Sequence, residues 1–341
     1  MAGTGGLSPG AEGVLAAVGG GLPDAPLVVA LGGGADSAVC AWAASALGCR
    51  VRTATVDHGL PASPGLIAAA RAAAEFLGLD HRLLPAPAAD DSEATLRAVR
   101  YAALEAGAVP GEVIVTGHTR DDQAETVLGN LLRGAGAGGL AGIPERRGRW
   151  CRPLMGVSRA EARAVADDLG LPYTDDPGNR DQARRRNLLR HRVIPLLEES
   201  LGPGVRAALA RAASLLSADD ALLRSAAEQV PLYVEGGVVR LPAAVLATLP
   251  VPVASRAARR ALRRLLDPYP GTGADVEAVL SVAGSGEGTR SLQGGHLADR
   301  QGAWVVLRPA GSSPPPAPLA LPVPGRVRFG GWVLSAEPPG P

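Results

Sequence analysis
Short apolar runs and helix-spaced apolar positions take turns along residues 25–201. After Pro26 comes an unbroken run, Leu-Val-Val-Ala-Leu, closed by Gly32. A run that short and apolar on both faces reads as a strand buried in a parallel sheet. Val51–Val56 reads the same way and ends at Asp57-His58-Gly59. Val113–Val115 is a third strand and Asp80–Leu84 a weaker fourth. Between and after them, 37–47, 65–78, 92–107 and 121–133 carry helical spacing. Strand and helix alternate, which predicts an α/β fold with a doubly wound parallel sheet. Ser158-x-x-Glu161 opens a later helix with a capping box, ending near Gly170. A polar loop over 174–181 then leads into an Arg-rich helix that runs to about Glu199.

The pattern changes at both ends. Residues 1–24 are small and Gly-rich, a loose N-terminus with a short helix near Ala11–Val18. Gly202-Pro203-Gly204 marks a boundary between a catalytic region, 25–201, and a mainly helical one, 202–309. Helices are expected there near 205–217 and 255–266, with one strand-like piece, Val238–Leu241. Residues 310–341 are Pro/Gly-rich and read as a tail. The length, 341 residues, suits this two-domain division.

Composition narrows the chemistry. Hydrophobic content is 46% but aromatic content only 3%, so the core must be built from Ala, Val and Leu. Net charge is +1, so any nucleic-acid contact must come from local clusters. The chain contains no Lys, which excludes a Walker lysine or a Schiff base. Cys40, Cys49 and Cys151 have no metal-binding or redox spacing. No signal peptide and no membrane span are evident, and a cytoplasmic location is expected.

Three junctions concentrate polar residues. Gly32-Gly33-Gly34-Ala35-Asp36-Ser37 follows the first strand and opens a helix. Glycines let backbone N–H groups approach an anion, and the helix N-terminus adds partial positive charge. Ser37 offers a hydroxyl, and Asp36 beside phosphates makes sense as a Mg²⁺ holder. Next comes Thr116-Gly117-His118-Thr119-Arg120-Asp121-Asp122-Gln123-Ala124-Glu125. Helical spacing gathers Asp121, Asp122 and Glu125 on one side, with Val127, Leu128, Leu131 and Leu132 as the expected buried stripe. One or two acids satisfy a helix start; His118 and Gln123 are surplus. The third is Arg184-Arg185-Arg186-Asn187 with Arg190, His191 and Arg192, either a solvated helix face or a clamp for phosphate or carboxylate.

The first junction resembles the PP-loop of ATP pyrophosphatases with the adenine-nucleotide α-hydrolase-like fold. The ordered set resembles the tRNA(Ile)-lysidine synthetase family over about residues 27–200. Its further pieces are Val56–Leu60, Arg100-Tyr101, Leu131–Gly134 with Gly138–Gly142, Arg152-Pro153-Leu154, Asp175-Asp176-Pro177 with Asn179, and Arg186–Pro195. Gly32 replaces the family's usual Ser, Thr119 a frequent His, and Gln182-Ala183-Arg184 stands where an aromatic residue commonly lies shortly before Arg186-Asn187.

The resemblance implies a two-step ligation. ATP adenylates O2 of the wobble cytidine in a CAU-anticodon tRNA(Ile), and free L-lysine then displaces AMP at C2. It implies phosphate or nucleotide contacts from Gly32 to Ser37, His58, Arg100 and Gly117, with Mg²⁺ at Asp36. Asp122 and Glu125 would bind lysine's ammonium groups or help deprotonate its amine, and Asp176 would assist. Arg186, Asn187 and Arg190 would grip a carboxylate or an RNA phosphate. His118 would stabilise charge on the activated base, and the helical region would bind tRNA. The oligomeric state stays open, a homodimer included. Two other readings are a base-thiolating PP-loop enzyme and a catalytically silent ATP- or tRNA-binding homologue.

Overall fold
The structure, a computed structural model, describes residues 7–176, 178, 181, 184–266, 271–311, 323–329 and 332–337. Two compact units divide it, 1–218 and 219–341.

The first unit opens with helix α1 (Pro9–Gly19), capped by Ser8, whose Ala11, Val14 and Val18 are buried in the main core. Within the stretch expected to be loose, this helix is therefore an integral part of the core. Then follow β1 (Leu27–Ala30), α2 (Ala35–Ala46), β2 (Val51–Asp57), α3 (Ser63–Phe76), β3 (His81–Pro85), α4 (Glu93–Gly107), β4 (Val113–Thr116) and α5 (Arg120–Leu131). Each agrees with the apolar pattern to within a few residues. Short α6 (Ala137–Leu140) and the small strands β5 (Arg146–Arg147) and β6 (Trp150–Cys151) come next, then α7 (Arg159–Asp168). The Arg-rich stretch is one helical run, α8 (Arg185–Leu188), a π-helical turn (Leu189–Val193) and α9 (Ile194–Leu201).

The sheet order is β3-β2-β1-β4-β6-β5. All neighbours are parallel except β5 on β6. The chain steps from β1 to β2 and β3 on one side and then returns to place β4 on the other, so the order reverses between β1 and β4. Such a switch point opens a crevice at the carboxyl ends of the strands, where α/β sheets bind ligands. Ala30 pairs with Thr116 there, bringing the loops after β1 and β4 side by side. Small residues make this packing close: Ala38, Ala41, Ala43 and Ala44 of α2 are buried, and α2 packs against α1, α3 and α7.

The second unit is less helical than its sequence suggests. Helix α10 (Val205–Glu228) crosses the division at 218/219, downstream of Gly202-Pro203-Gly204. The unit then holds β7 (Tyr233–Glu235), β8 (Val238–Pro242), α11 (Ala243–Thr248), α12 (Val251–Leu265), α13 (Gly273–Gly284), β9 (Thr289–Leu292), β10 (His296–Gln301) and β11 (Trp304–Pro309). Its sheet runs β7-β8-β11-β10-β9, with antiparallel neighbours throughout. Of these strands only β8 is among the expected elements; Trp304-Val305-Val306-Leu307 of β11 is an apolar run of the same kind that the expectation leaves out, whereas Thr-Arg-Ser-Leu and His-Leu-Ala-Asp-Arg-Gln lack one. Gly236-Gly237, both at positive φ, form the two-residue turn of one hairpin. Within the stretch read as tail, β12 (Gly325–Phe329) and β13 (Trp332–Ala336) pair as a hairpin.

Candidate active site
The loop after β1 is shaped by its own residues. Gly33 sits at φ +82°, and a Cβ there would lie 2.5 Å from the Leu66 carbonyl oxygen, so only glycine fits. The Ser37 hydroxyl accepts from Gly32 N–H at 3.1 Å and donates to the Gly34 carbonyl at 2.9 Å, closing the loop. Gly34 caps α2 without a side-chain bond, which leaves the first N–H groups of that helix to another acceptor. A Cβ at Gly32 or Gly34 would meet nothing within 4 Å, so this face of the loop is open. A serine would fit at Gly32; glycine simply lacks that hydroxyl.

The loop after β4 approaches closely from the other side. A Cβ on Gly117 would lie 2.8 Å from the Asp36 carbonyl oxygen, so this glycine permits the two loops to touch. Next to it, the His118 Nδ1 shares a 2.8 Å hydrogen bond with the Thr116 hydroxyl. Burial, with Arg152, Arg186 and Arg97 nearby, lowers its pKa to about 4, so the ring is neutral at pH 7. His58, at the end of β2, has both ring nitrogens buried without a hydrogen-bond partner. Burial and the charge of Arg100 both disfavour its protonation.

Beyond His118 lies a knot of buried ion pairs. Asp122 Oδ2 accepts from the N–H and hydroxyl of Thr119, at 2.8 and 3.0 Å, which fixes its rotamer. Its Oδ1 takes Arg159, Arg186 and Arg190, at 2.8, 2.8 and 3.4 Å. Glu125, whose side chain is 2% exposed, takes the same three arginines at 3.2, 2.8 and 2.7 Å. Burial opposes both negative charges, yet the arginines hold both carboxyls below the usual range. Arg190 reaches Glu125 from the π-helical turn, a local irregularity that re-aims side chains. Arg159 completes the knot by reaching Asp36 at 3.3 Å. It therefore links the phosphate-type loop to the acids on α5.

Asp36 differs from the other acids. Its Oδ1 is buried without a partner, and burial pushes its pKa up to about 6. Such a carboxylate suits a cation arriving from outside. No group of three or more His, Cys, Asp or Glu with metal-binding geometry exists among the described residues. A metal here would therefore need ligands from a substrate, as Mg²⁺ commonly takes from phosphates. The open glycine face, the uncapped helix and Asp36 together fit a nucleotide triphosphate.

The comparisons with known proteins agree. Residues 14–197 match the family model of the PP-loop domain. The tRNA(Ile)-lysidine synthase of Streptomyces coelicolor (strain ATCC BAA-471 / A3(2) / M145) is 40% identical over 305 residues, covering 84% of this chain and 87% of that protein. The chain belongs to the tRNA(Ile)-lysidine synthase family. The Thermobifida fusca (strain YX) member is 41% identical over 250 residues, 70% of this chain and 77% of its own. The U34-tRNA thiolase NcsA from Methanococcus maripaludis shares the fold, with TM-score 0.51 at 18% identity over 61% of this chain and 80% of that one. As a PP-loop member of the lysidine synthase family, the chain is an ATP-using enzyme.

The structure sorts the expected site residues by neighbourhood. Asp36, Asp122, Glu125, Arg186 and Arg190 meet in one network, with Gly32–Ser37, Gly117 and His118 beside it. Arg100 lies on α4, exposed, in charge range of His58, Asp176 and Arg186. Asn187 stands apart from the acids: its amide donates to the carbonyls of Gly178 and Asp181, each at 2.8 Å, and so holds those two residues. Asp176 accepts from Gly178 N–H within that loop at 2.8 Å. Pro177 and Asn179 of the same motif lie outside the described residues. Gln123, read as surplus, is structural: it donates to the Ile143 carbonyl at 3.2 Å and accepts its N–H at 2.7 Å, clamping the 134–143 loop. Leu131 and Leu132 are exposed, and the buried face of α5 is Asp122, Ala124, Glu125, Val127 and Leu128 instead. The residue that sequence reasoning missed is Arg159. An arginine in the first turn of α7 opposes the helix dipole, and that was the available signal.

Proposed function
We propose that this enzyme ligates lysine to C2 of the wobble cytidine in CAU-anticodon tRNA(Ile), through a cytidine adenylated at O2. AMP and pyrophosphate are the co-products. The observation that carries this reading is the joining of a PP-loop to a buried acid–arginine knot through Arg159, in a chain of the lysidine synthase family.

The loop from Gly32 to Ser37 receives ATP phosphates through open backbone N–H groups, and His58 and Arg100 stand on the nucleotide side. Mg²⁺ held by Asp36 would neutralise phosphate charge when bound. The knot receives the head of lysine. An amino acid is a zwitterion, so its α-ammonium replaces an arginine on Asp122 or Glu125 while its carboxylate takes the freed guanidinium of Arg186 or Arg190. Net charge in the buried knot stays constant, which avoids leaving a lone ion out of water. Both acids are too acidic to act as bases here, so their role is charge pairing. The ε-amine, ordinarily protonated below about pH 10, releases a proton to solvent before it attacks C2, the carbon of the adenylated oxygen, from which AMP departs. His118 is neutral and would donate a hydrogen bond to charge developing on the cytosine ring. Asn187 and Asp176 both hold Gly178, and so act by positioning rather than by touching lysine.

The test is turnover with Mg-ATP, L-lysine and unmodified CAU-anticodon tRNA(Ile), followed by mass spectrometry of the tRNA nucleosides. Lysidine formed with one AMP per event, and lost in Asp36→Asn, supports the reading. A thionucleoside with a sulfur donor, or tRNA binding with no ATP cleavage, would replace it.

A further inference from the structure
We propose that Arg97, stacked on Tyr101, is a platform for an unstacked nucleobase of the RNA substrate. The proposal rests on the tRNA reading above and adds a binding site outside the reacting groups. The Arg97 guanidinium carbon lies 5.0 Å from the Tyr101 ring centroid, and its Nη2 donates to the Tyr101 hydroxyl at 3.1 Å. Tyr101 stacks in turn on Trp150, with ring centroids 4.2 Å apart and planes at 27°. Trp150 is buried and anchored by its indole N–H, which donates to Glu105 at 2.8 Å. Buried Arg152 donates to the same Tyr101 hydroxyl at 3.1 Å. A column therefore rises from the core, Trp150 then Tyr101 then Arg97, and ends on an exposed planar cation. In a chain with 3% aromatic residues, placing two of them under one surface arginine points to a use for that surface.

The charge around the column supports an anionic, flat ligand. Among the described residues, Arg97, Arg100 and Arg152 have no carboxylate partner; Arg97 bonds Tyr101, and Arg152 bonds Tyr101 and the Pro144 carbonyl. Glu93, one helical turn before Arg97, is turned to Arg186 at 3.3 Å. Arg97 and Arg152 are both among the cations that disfavour protonation of His118, so the column stands within charge range of that residue. Single-stranded RNA is recognised by stacking its splayed bases on aromatic rings and arginine planes, with cations near the backbone. When the target cytidine leaves the anticodon stack, a neighbouring base loses a stacking partner, and Arg97 supplies a replacement.

The test is fluorescence anisotropy with a labelled CAU anticodon stem-loop, for the wild type, Arg97→Ala and Arg97→Lys. Abasic nucleotides replace each loop base in turn. Arg97→Ala is expected to weaken binding about tenfold, while ATP affinity and melting temperature hold. Lysine keeps the charge without the plane and is expected to restore only part of the affinity. One abasic position should weaken the wild type by the same factor and leave Arg97→Ala unaffected, a coupling that a loss of structure would not produce. Unchanged affinity in Arg97→Ala, full rescue by Lys, or additive abasic effects would overturn the platform. A wild type that binds ATP but no stem-loop would instead remove the tRNA reading beneath it.

Discussion
Two sets of arginines border the same crevice and differ in what neutralises them. Arg159, Arg186 and Arg190 are held by Asp122 and Glu125, and Arg159 also by Asp36. Arg97, Arg100 and Arg152 form no ion pair with a carboxylate among the described residues, although Asp176 lies in charge range of Arg100. The first set is balanced, so it suits a zwitterion that leaves the balance intact. The second set is unbalanced, so it suits a polyanion. A basic cluster in the sequence therefore does not locate the RNA contact by itself. The densest run, 184–192, supplies two of the three arginines of the knot, Arg186 and Arg190, and its Arg184 pairs with Asp91 and Asp181, whereas Arg97, Arg100 and Arg152 are scattered along the chain.

Removing Glu125 from the balanced set should break it most severely. Glu125→Ala leaves three guanidinium groups short of a partner; we expect a loss of about 3–5 kcal/mol in urea unfolding and lysidine formation reduced about a thousandfold. Arg159→Gln removes the link between Asp36 and the acids. We expect a loss of about 2–3 kcal/mol, and KM values for ATP and lysine that rise together in steady-state kinetics.

Asp36→Asn sharpens the comparison through pH. The folded pKa, raised to about 6, exceeds the ordinary 3.8, so the protonated form is favoured by folding. The stability Asp36 contributes is complete below pH 3.8 and is lost as pH rises through 6. The Asn variant without ligand should therefore be about 1–3 kcal/mol more stable than the wild type above pH 6 and equal to it below pH 3.8, in urea titrations across that range. The smallest effect belongs to the unbalanced set. Arg97→Gln and Arg100→Gln should each change stability by less than about 0.5 kcal/mol, since neither exposed side chain has an ion-pair partner to lose.

The parallel sheet and its crevice were legible because buried strands must be apolar on both faces, as Leu27–Leu31 and Val113–Val115 are. The loop glycines were legible because a close backbone approach tolerates no side chain, which Gly33 and Gly117 illustrate. The antiparallel sheet was legible only in part: Val238–Leu241 and Trp304–Leu307 are apolar runs, the second overlooked, but Thr289–Leu292 and His296–Gln301 alternate weakly, and cross-strand pairing, invisible in a linear pattern, holds them. The knot was half legible. The acids stood out at a helix start, but Arg159 lies 34 residues beyond Glu125, and only the packing of α7 beside the sheet brings it back. The role of Gln123 depended on a loop partner 20 residues away.

The central claim, that the balanced knot receives the zwitterionic head of lysine, is tested most directly by competition. Lysine and lysinamide, which lacks the carboxylate, would be offered together in ATP-dependent labelling of unmodified CAU-anticodon tRNA(Ile). A preference for lysine of about a hundredfold, abolished in Arg190→Gln, is the predicted result. Equal incorporation of the two amines by the wild type would contradict the claim.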